Sequence, residues 1–327
     1  MNRKAISLLS GGLDSTLATK IVLEQGIEVI GLHFAMPWGC CDRTAAYSAA
    51  KLFDIHIMVF KMQEDYLDVI HNPKYGYGRA MNPCVDCRIH MYRKAKAYME
   101  EIGASFLITG EVLGQRPKSQ MLESLKTIER DCDLVGKILR PLSAHALDPT
   151  MPEKEGIVDR SKLLGISGRS RRIQMALAEE KGIRNYPTPA GGCLLTDEAF
   201  SRRVKDLLDH SVHPTIEDME LLRIGRHFRL NPVTKLIVGR NESENDILEY
   251  YGAHRPLFQP VDFPGPSTLI VGEESPESER AVASLTLRYG EPEGNGKQAL
   301  LFSYREGERR LPTLNLFTNE ELERMHL

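Results

Sequence analysis

The sequence predicts an α/β protein: a parallel sheet with helices on both faces, followed by a smaller α+β unit. Three observations lead there. Short apolar runs alternate with helix-period stretches from residue 5 to about residue 195, the pattern of a parallel sheet covered on both sides. Ser10-Gly11-Gly12-Leu13-Asp14-Ser15 stands between the first apolar run and the first helical stretch. Beyond residue 229 strand-like and helical segments follow one another without that strict alternation.

The elements are expected in order. Ala5 to Leu9 is a strand and Thr16 to Gln25 a helix; Glu28 to Phe34 is a strand and Thr44 to Phe53 a helix. Ile55 to Phe60 is a strand, Arg88 to Ile102 a helix, Ser105 to Thr109 a strand, and Ser161 to Gly182 a helix with a basic start. Residues 196–228 read as a helical connector. In the tail, Leu236-Ile237-Val238, Thr268 to Val271 and Ala299 to Phe302 are strand-like, and Glu242 to Tyr251 and Glu277 to Tyr289 are helical. The expected domains are therefore 1–195, a connector over 196–228, and 229–327.

The Ser10–Ser15 turn has the layout of an anion cradle. Backbone N–H groups at a helix N-terminus face the ligand, and the helix dipole favours negative charge. Gly11 and Gly12 are expected to let the backbone approach a phosphate, with Ser10 and Ser15 adding hydroxyls. No Walker lysine is present, so the common P-loop is excluded. Ligands of such sheets sit at the carboxyl ends of the strands, where Ser10, His33 and Gly110 all fall, so the three are expected to share a site.

Composition narrows the class. The 327 residues carry a net charge of −3 and 42% hydrophobic residues, so real cores are affordable and nothing global points to nucleic acid or membrane. The first residues lead into a strand-length run rather than a signal peptide, and no stretch is apolar enough to span a bilayer. A cytoplasmic setting is the expectation, in which the six cysteines read as ligands or reactive thiols rather than disulfides.

Cys84 and Cys87 form a C-x-x-C after Pro83, at a helix start that lowers thiol pKa. Alone it suits a redox pair, a zinc half-site or a cluster half-site. Cys193, in a Pro- and Gly-rich loop, is the best third ligand, and three thiolates suit a 4Fe-4S cluster with one iron left open. Cys40-Cys41 read as loop or packing thiols, and Cys132 as a core cysteine. Basic runs at Arg169-Arg171-Arg172, Arg202-Arg203-Lys205 and Arg223-Arg226-Arg229 are candidates for RNA phosphate contacts. His145, His210, His213 and His326 read as surface or capping residues.

Ser10 to Ser15 resembles the PP-loop of ATP pyrophosphatases, which split ATP into AMP and pyrophosphate. With His33-Phe34, Arg88, Arg93, Thr109 to Gln115, Gln120 and Arg140-Pro141-Leu142, residues 4–196 resemble the catalytic domain of tRNA 4-thiouridine synthetases. Cys84, Cys87 and Cys193 resemble the iron–sulfur ligands of cluster-dependent tRNA thiolation enzymes. Leu236 to Glu242, with Asp262 to Pro266, resembles the RNA-binding NFACT-R module. The resemblance implies an adenine nucleotide alpha hydrolase-like fold and an ATP-dependent tRNA sulfurtransferase.

It also implies a set of residue roles. ATP would be held by Leu8, Leu9, Ser10, Gly11, Gly12, Asp14, Ser15, His33, Phe34, Arg88, Gly110 and Gln120. Asp14 would hold Mg²⁺ or orient phosphates, and Asp14, Cys84 and Cys193 would be catalytic. The metal ligands would be Cys84, Cys87 and Cys193. The implied partners are tRNA, a sulfide or persulfide donor and a separate RNA-binding partner. The family's THUMP and rhodanese-like regions have no expected counterpart here, so the tail is the expected RNA handle. A persulfide on Cys193 resolved by Cys84 is the alternative to a cluster. A PP-loop ligase or amidating enzyme with a small-molecule substrate and a noncatalytic RNA-binding protein are the alternative functions.

Overall fold

The computed structural model describes residues 3–38, 43–184, 186–187, 192–261, 263–291, 300–303, 307–310 and 316–327. Cys40-Cys41, most of the loop leading to Cys193, and Asp262 lie outside them. The chain forms two compact units, residues 1–197 and 198–327, and the helices expected as a connector belong to the second.

The first unit contains strands β1 (Lys4–Leu8), β2 (Glu28–Ala35), β3 (Ile57–Lys61), β4 (Phe106–Ile108) and β5 (Ile138–Leu139). All pair in parallel, in the order β3-β2-β1-β4-β5. Between them run α1 (Leu13–Leu23), α2 (Arg43–Leu52), α3 (Asp65–His71), α4 (Cys84–Glu101) and α5 (Leu122–Asp131), with α6 (Met151–Lys154) and α7 (Arg172–Glu180) after β5. Parallel strands covered on both faces read as near-continuous apolar runs. Ala5, Ile6, Phe106, Leu107 and Ile108 are accordingly fully buried.

Helix α1 is buried on almost every side, and its polar residues are used inwardly. Thr19 Oγ1 donates to Ser15 O at 2.7 Å and lies 2.7 Å from Ser7 Oγ on β1. That link anchors the helix behind the Ser10–Ser15 turn to the central strand. Buried hydroxyls survive in a core only when their hydrogen bonds are made.

Two expectations change, and one strand was not expected. The helix expected over Ser161 to Gly182 is confined to Arg172–Glu180. Gly168, at φ 84°, breaks the pattern; Ser167 instead bridges Leu113 in parallel and Gly168 N donates to Leu113 O at 2.7 Å. The helix expected from Arg88 begins a turn earlier, at Cys84. The two-residue strand β5 was hidden in the sequence because nothing so short produces a periodic signal.

The second unit opens with α8 (Glu198–His210) and α9 (Ile216–Leu221), then β6 (Arg226–Asn231), β7 (Thr234–Val238), α10 (Glu242–Gly252), β8 (Leu257–Pro260), β9 (Thr268–Gly272), α11 (Pro276–Tyr289), β10 (Leu300–Ser303), β11 (Gly307–Arg310) and α12 (Asn319–Met325). The six strands form one sheet, ordered β11-β10-β8-β9-β7-β6, with antiparallel pairing. Phe228, Leu236, Val238, Phe258 and Ile270 pack there against Ala281, Val282 and Leu285 of α11. Arg229 pairs with Asp206, Arg203 with the Leu222 carbonyl, and Arg226 stacks 4.5 Å over the Tyr289 ring. These members of the basic runs therefore serve this unit's own structure, while Arg202, Lys205 and Arg223 are exposed.

Among the described residues no helix is long and apolar enough to cross a membrane. Phe106 is fully buried at the centre of the first unit's core. Phe106→Ala is expected to cost about 3–5 kcal/mol, read as a fall in the urea midpoint of residues 1–197 within the full chain.

Candidate active site

Along the sheet, β2 and β3 lie to one side of β1, and β4 and β5 to the other. The reversal beside β1 is where an open parallel sheet offers a crevice at its strand ends. A cavity of about 410 Å³ fills it. Leu8, Leu9, Ser10, Gly12, Asp14, Ser15, His33, Phe34, Arg88, Gly110 and Gln120 all line that cavity, and so do Cys84, Cys87 and Cys193. Gly11 alone among the sequence-derived residues is not in the wall.

Gly11 has a different task from the one expected. Its φ is +77°, and a Cβ there would lie 2.3 Å from the carbonyl carbon of Ala45 and 2.4 Å from the nitrogen of Ala46. The missing side chain lets α2 pack against the turn, rather than letting a phosphate approach. Gly12 is the residue with open space, its nearest neighbour being Ser10 Oγ at 3.5 Å. Gly12 is also the N-cap of α1, and no side chain caps it. The first helical bond runs from Thr16 N to Gly12 O at 3.0 Å. The N–H groups of residues 13–15 thus have no helical acceptor, which is the ordinary basis of an anion site.

Gly110 closes the cradle from the other side. A Cβ on it would fall 2.4 Å from Ser15 N and 2.5 Å from Asp14 C. The end of β4 therefore lies directly on the first turn of α1. Ser10 Oγ and Ser15 Oγ are 3.0 Å apart, and Ser15 Oγ also donates to Gly12 O at 3.0 Å.

Asp14 is held by residues that no sequence signal assigned to it. Gln115 Nε2 donates to its Oδ2 at 2.7 Å, and Gln174 Nε2 on α7 donates to Gln115 Oε1 at 3.2 Å. Arg171 Nε lies 3.7 Å from the same carboxylate oxygen. Arg171 was grouped with a phosphate-binding basic run; it instead lines this cavity, while Arg169 and Arg172 are exposed. Asp14 Oδ1 is buried without a hydrogen-bond partner, so one carboxylate oxygen is left for a divalent cation, and the residue fits Mg²⁺ on that ground.

Glu111 forms the cavity's buried charge centre. Arg140 Nε donates to its Oε2 at 3.1 Å, and Arg88 Nε lies 3.6 Å from Oε1. Arg140 also pairs with Glu129. Burial pushes the Glu111 carboxyl up, but Arg88 and Arg140 outweigh it and hold the group below its ordinary value. Burial likewise works against both guanidinium charges; Tyr92 and then Glu111 outweigh it at Arg88, and Glu111 with Glu129 outweighs it at Arg140.

The thiols of Cys84, Cys87 and Cys193 line the same cavity. Because α4 begins at Cys84, Cys84 and Cys87 are three apart in its first turn and share a face. Asn82 Nδ2 donates to Cys84 Sγ at 2.9 Å, and the Tyr66 hydroxyl donates to Cys87 Sγ at 3.0 Å. Met81 N donates to Leu195 O at 3.2 Å, which ties the Cys193 segment to the loop ahead of Cys84. Burial pushes the Cys87 thiol up to about 12, against Tyr66 and Arg88, which pull it down. Cys87 also feels Cys193 and Cys84 as like charges. Cys84, Cys87, Cys132 and Cys193 are free of disulfides, and Cys132 is buried. The donor chemistry fits an iron–sulfur cluster: three thiols line one cavity, two of them already accepting hydrogen bonds. No three His, Cys, Asp or Glu side chains among the described residues are gathered closely enough to hold a single metal ion.

A glycine cradle at the reversal of a parallel sheet, with Asp14 behind it and β4 closing it, defines a PP-loop nucleotide-binding protein. The chain belongs to the family described as thiamine biosynthesis protein (ThiI), whose model matches residues 1–174. Residues 225–325 match the NFACT protein RNA binding domain. A probable tRNA sulfurtransferase of Thermococcus kodakarensis is 32% identical over 169 residues, covering 50% of this chain and 41% of that one. A tRNA-specific 2-thiouridylase MnmA of Clostridioides difficile is 28% identical over 229 residues, covering 63% of this chain and 59% of the other. A 4-thiouridine synthetase solved with RNA and bound ATP is 22% identical, with a TM-score of 0.36, covering 66% of this chain and 52% of that one. The chain thus spans about two-fifths of the first of these relatives' length.

Glu111→Gln leaves Arg88 and Arg140 facing a neutral amide in a buried site. It is expected to destabilise the first unit by roughly 3–5 kcal/mol at pH 7. The native carboxyl is held below its ordinary value of 4.5, so its contribution is complete above that pH and disappears as pH falls through the native pKa. Urea titrations of wild type and variant should therefore converge as the medium is acidified below about pH 4.5.

Proposed function

We propose that the protein is an ATP-dependent tRNA sulfurtransferase working in the cytoplasm. One observation carries the reading: the Ser10–Ser15 cradle and the thiols of Cys84, Cys87 and Cys193 line a single cavity. An activating site and a sulfur-handling site are thereby within reach of one bound nucleobase.

A uridine carbonyl oxygen is a poor leaving group. The oxygen attacks the α-phosphorus of ATP, a C–O–P linkage forms and pyrophosphate leaves. The N–H groups at the start of α1, with Ser10 and Ser15, take the pyrophosphate oxygens. Asp14, fixed by Gln115, would hold Mg²⁺, which when bound would supply positive charge beside the phosphates. Leu8, Leu9, His33 and Phe34 form the wall for the adenosine, with Gly110 and Gln120 opposite, and Arg88 supplies positive charge between nucleotide and thiols. Sulfur then bonds to the activated carbon, and AMP departs with the electron pair of the C–O bond. Positioning and fixed charge provide most of the rate.

Cys84, Cys87 and Cys193 would hold a 4Fe-4S cluster; when bound, it would supply a coordination position that keeps sulfide deprotonated and oriented. Tyr66 and Asn82 hold the sulfurs of Cys87 and Cys84 in place for it. In the alternative, Cys193 carries a persulfide and Cys84 resolves it as a disulfide. The elevated Cys87 pKa fits a thiol that keeps its proton until a metal displaces it to solvent. The second unit is the proposed RNA handle, on the strength of its family match, with a sulfide or persulfide donor and a separate RNA-binding protein as further partners.

The test is pyrophosphate release with and without tRNA, joined to mass spectrometry of tRNA nucleosides from a deletion strain. Release that depends on tRNA and one missing thionucleoside are expected. Release without tRNA points to a small-molecule ligase and sinks the proposal. Gly11→Ala, which forces α2 off the turn, should lower tRNA-dependent release by about a hundredfold or more, the scale of losing a positioned transition-state contact. Cys193→Ser should keep that release and abolish the thionucleoside. Anaerobic purification followed by iron analysis separates the sulfur routes: active, iron-free protein leaves only the persulfide.

A further inference from the structure

A buried glutamine stands one step behind Asp14. Gln174, in the first turn of α7, is fully buried, yet it does not line the nucleotide cavity. One turn further along α7, Ala178 packs in the same core cluster as Leu17, Ala18 and Ile21 of α1. Leucine or methionine has nearly the same volume as glutamine and brings no polar group into a core. Gln174 instead leaves its Oε1 buried without a hydrogen-bond partner among the described residues, a standing cost in an interior. Its other end is fully used: Nε2 donates to Gln115 Oε1 at 3.2 Å.

The direction of these bonds is set from the Asp14 end. A carboxylate only accepts, while an amide presents an acceptor oxygen on one side and a donor NH₂ on the other. Gln115 therefore turns its Nε2 to Asp14 Oδ2, at 2.7 Å, and its Oε1 faces away. Gln174 meets that oxygen with a donor. Without the donor, the Gln115 oxygen stands in a buried place with its hydrogen bond unmade. Gln115 lines the cavity, so its amide then gains by swinging toward the open side, which takes its N–H off Asp14. The surrounding chain supports the relay. Gly168 N donates to Leu113 O at 2.7 Å, and Ser167 bridges Leu113, which ties the Gln115 loop to the segment entering α7. Arg171, the N-cap of α7, places its Nε 3.7 Å from the same Asp14 oxygen. The start of α7 thus reaches Asp14 twice, once by charge and once through Gln115.

We propose that Gln174 is a positioning residue of the PP-loop site: it locks the Gln115 amide, and the locked amide holds Asp14 with Oδ1 left for Mg²⁺. Hydrogen-bond partners one step removed from a metal ligand set its orientation and its affinity for the ion. The inference rests on the reading of Asp14 as the Mg²⁺ residue of a nucleotide site, and it is independent of how sulfur is delivered.

The test is a calorimetric titration of the full chain with α,β-methylene ATP, which cannot release pyrophosphate, once in Mg²⁺ and once in EDTA. Wild type should bind more tightly in Mg²⁺. Gln174→Leu should weaken binding in Mg²⁺ by about tenfold or more and leave binding in EDTA unchanged. Gln174→Glu, whose carboxylate faces the Gln115 oxygen, should weaken it at least as much. In a Gln115→Leu background, Gln174→Leu should add nothing further, because the residue acts only through Gln115. Equal losses in Mg²⁺ and EDTA, full additivity with Gln115→Leu, or a folded Gln174→Leu that binds as wild type does would each overturn the proposal. If Gln174→Leu does not fold, Gln174→Met takes its place; failure of both to fold makes Gln174 a packing residue and overturns the proposal as well. A wild type whose binding ignores Mg²⁺ overturns the reading of Asp14 itself, and a Mg²⁺-dependent wild type with an unaffected Gln174→Leu overturns this inference alone.

Discussion

The ion contacts of Glu111 link the ends of two neighbouring strands to the helix that carries Cys84 and Cys87 through buried charge. The carboxylate sits just past β4, Arg140 just past β5, and Arg88 in the first turns of the helix that begins with Cys84. A buried carboxylate is costly unless its partners are in place. The geometry of the nucleotide crevice and the position of the cysteine helix are thus conditions on one another. Moving α4 separates Arg88 from Glu111, and moving β4 opens the contact of Gly110 with α1.

Steric exclusion completes what the charges begin. Gly11 and Gly110 are both placed where a single added carbon would collide with backbone. One collision is with α2, the other with the first turn of α1. The cradle is squeezed from both sides, so its N–H groups are held rigidly before any ligand arrives. Preorganised donors of that kind need no rearrangement when charge develops on the ligand.

Much of this was legible in the sequence. The parallel sheet followed from alternation, the cradle from the Ser10–Ser15 string, the convergence of Ser10, His33 and Gly110 from strand ends, and Gln120 from the resemblance. The rest was hidden for physical reasons. Tyr66 reaches the Cys87 sulfur from 21 residues away and Asn82 the Cys84 sulfur across a local turn, and neither belongs to a motif. Arg171 looked like one cation in a solvated run until Gly168 turned the chain and brought it to Asp14. The positive φ and the tight contact of Gly11 cannot be read from two adjacent glycines, which say only that the backbone is permissive. In the second unit, β6 is rich in charge and β8 is four residues long, so neither carries a strong alternation signal.

The Asp14–Gln115 hydrogen bond joins residues 101 positions apart, and the Arg171 contact comes from farther still. A ribosome makes the Ser10–Ser15 cradle well before Gln115 and Arg171, the groups that fix its carboxylate. Domains fold largely as units during synthesis. The nascent chain therefore carries the cradle's sequence long before it carries the complete crevice.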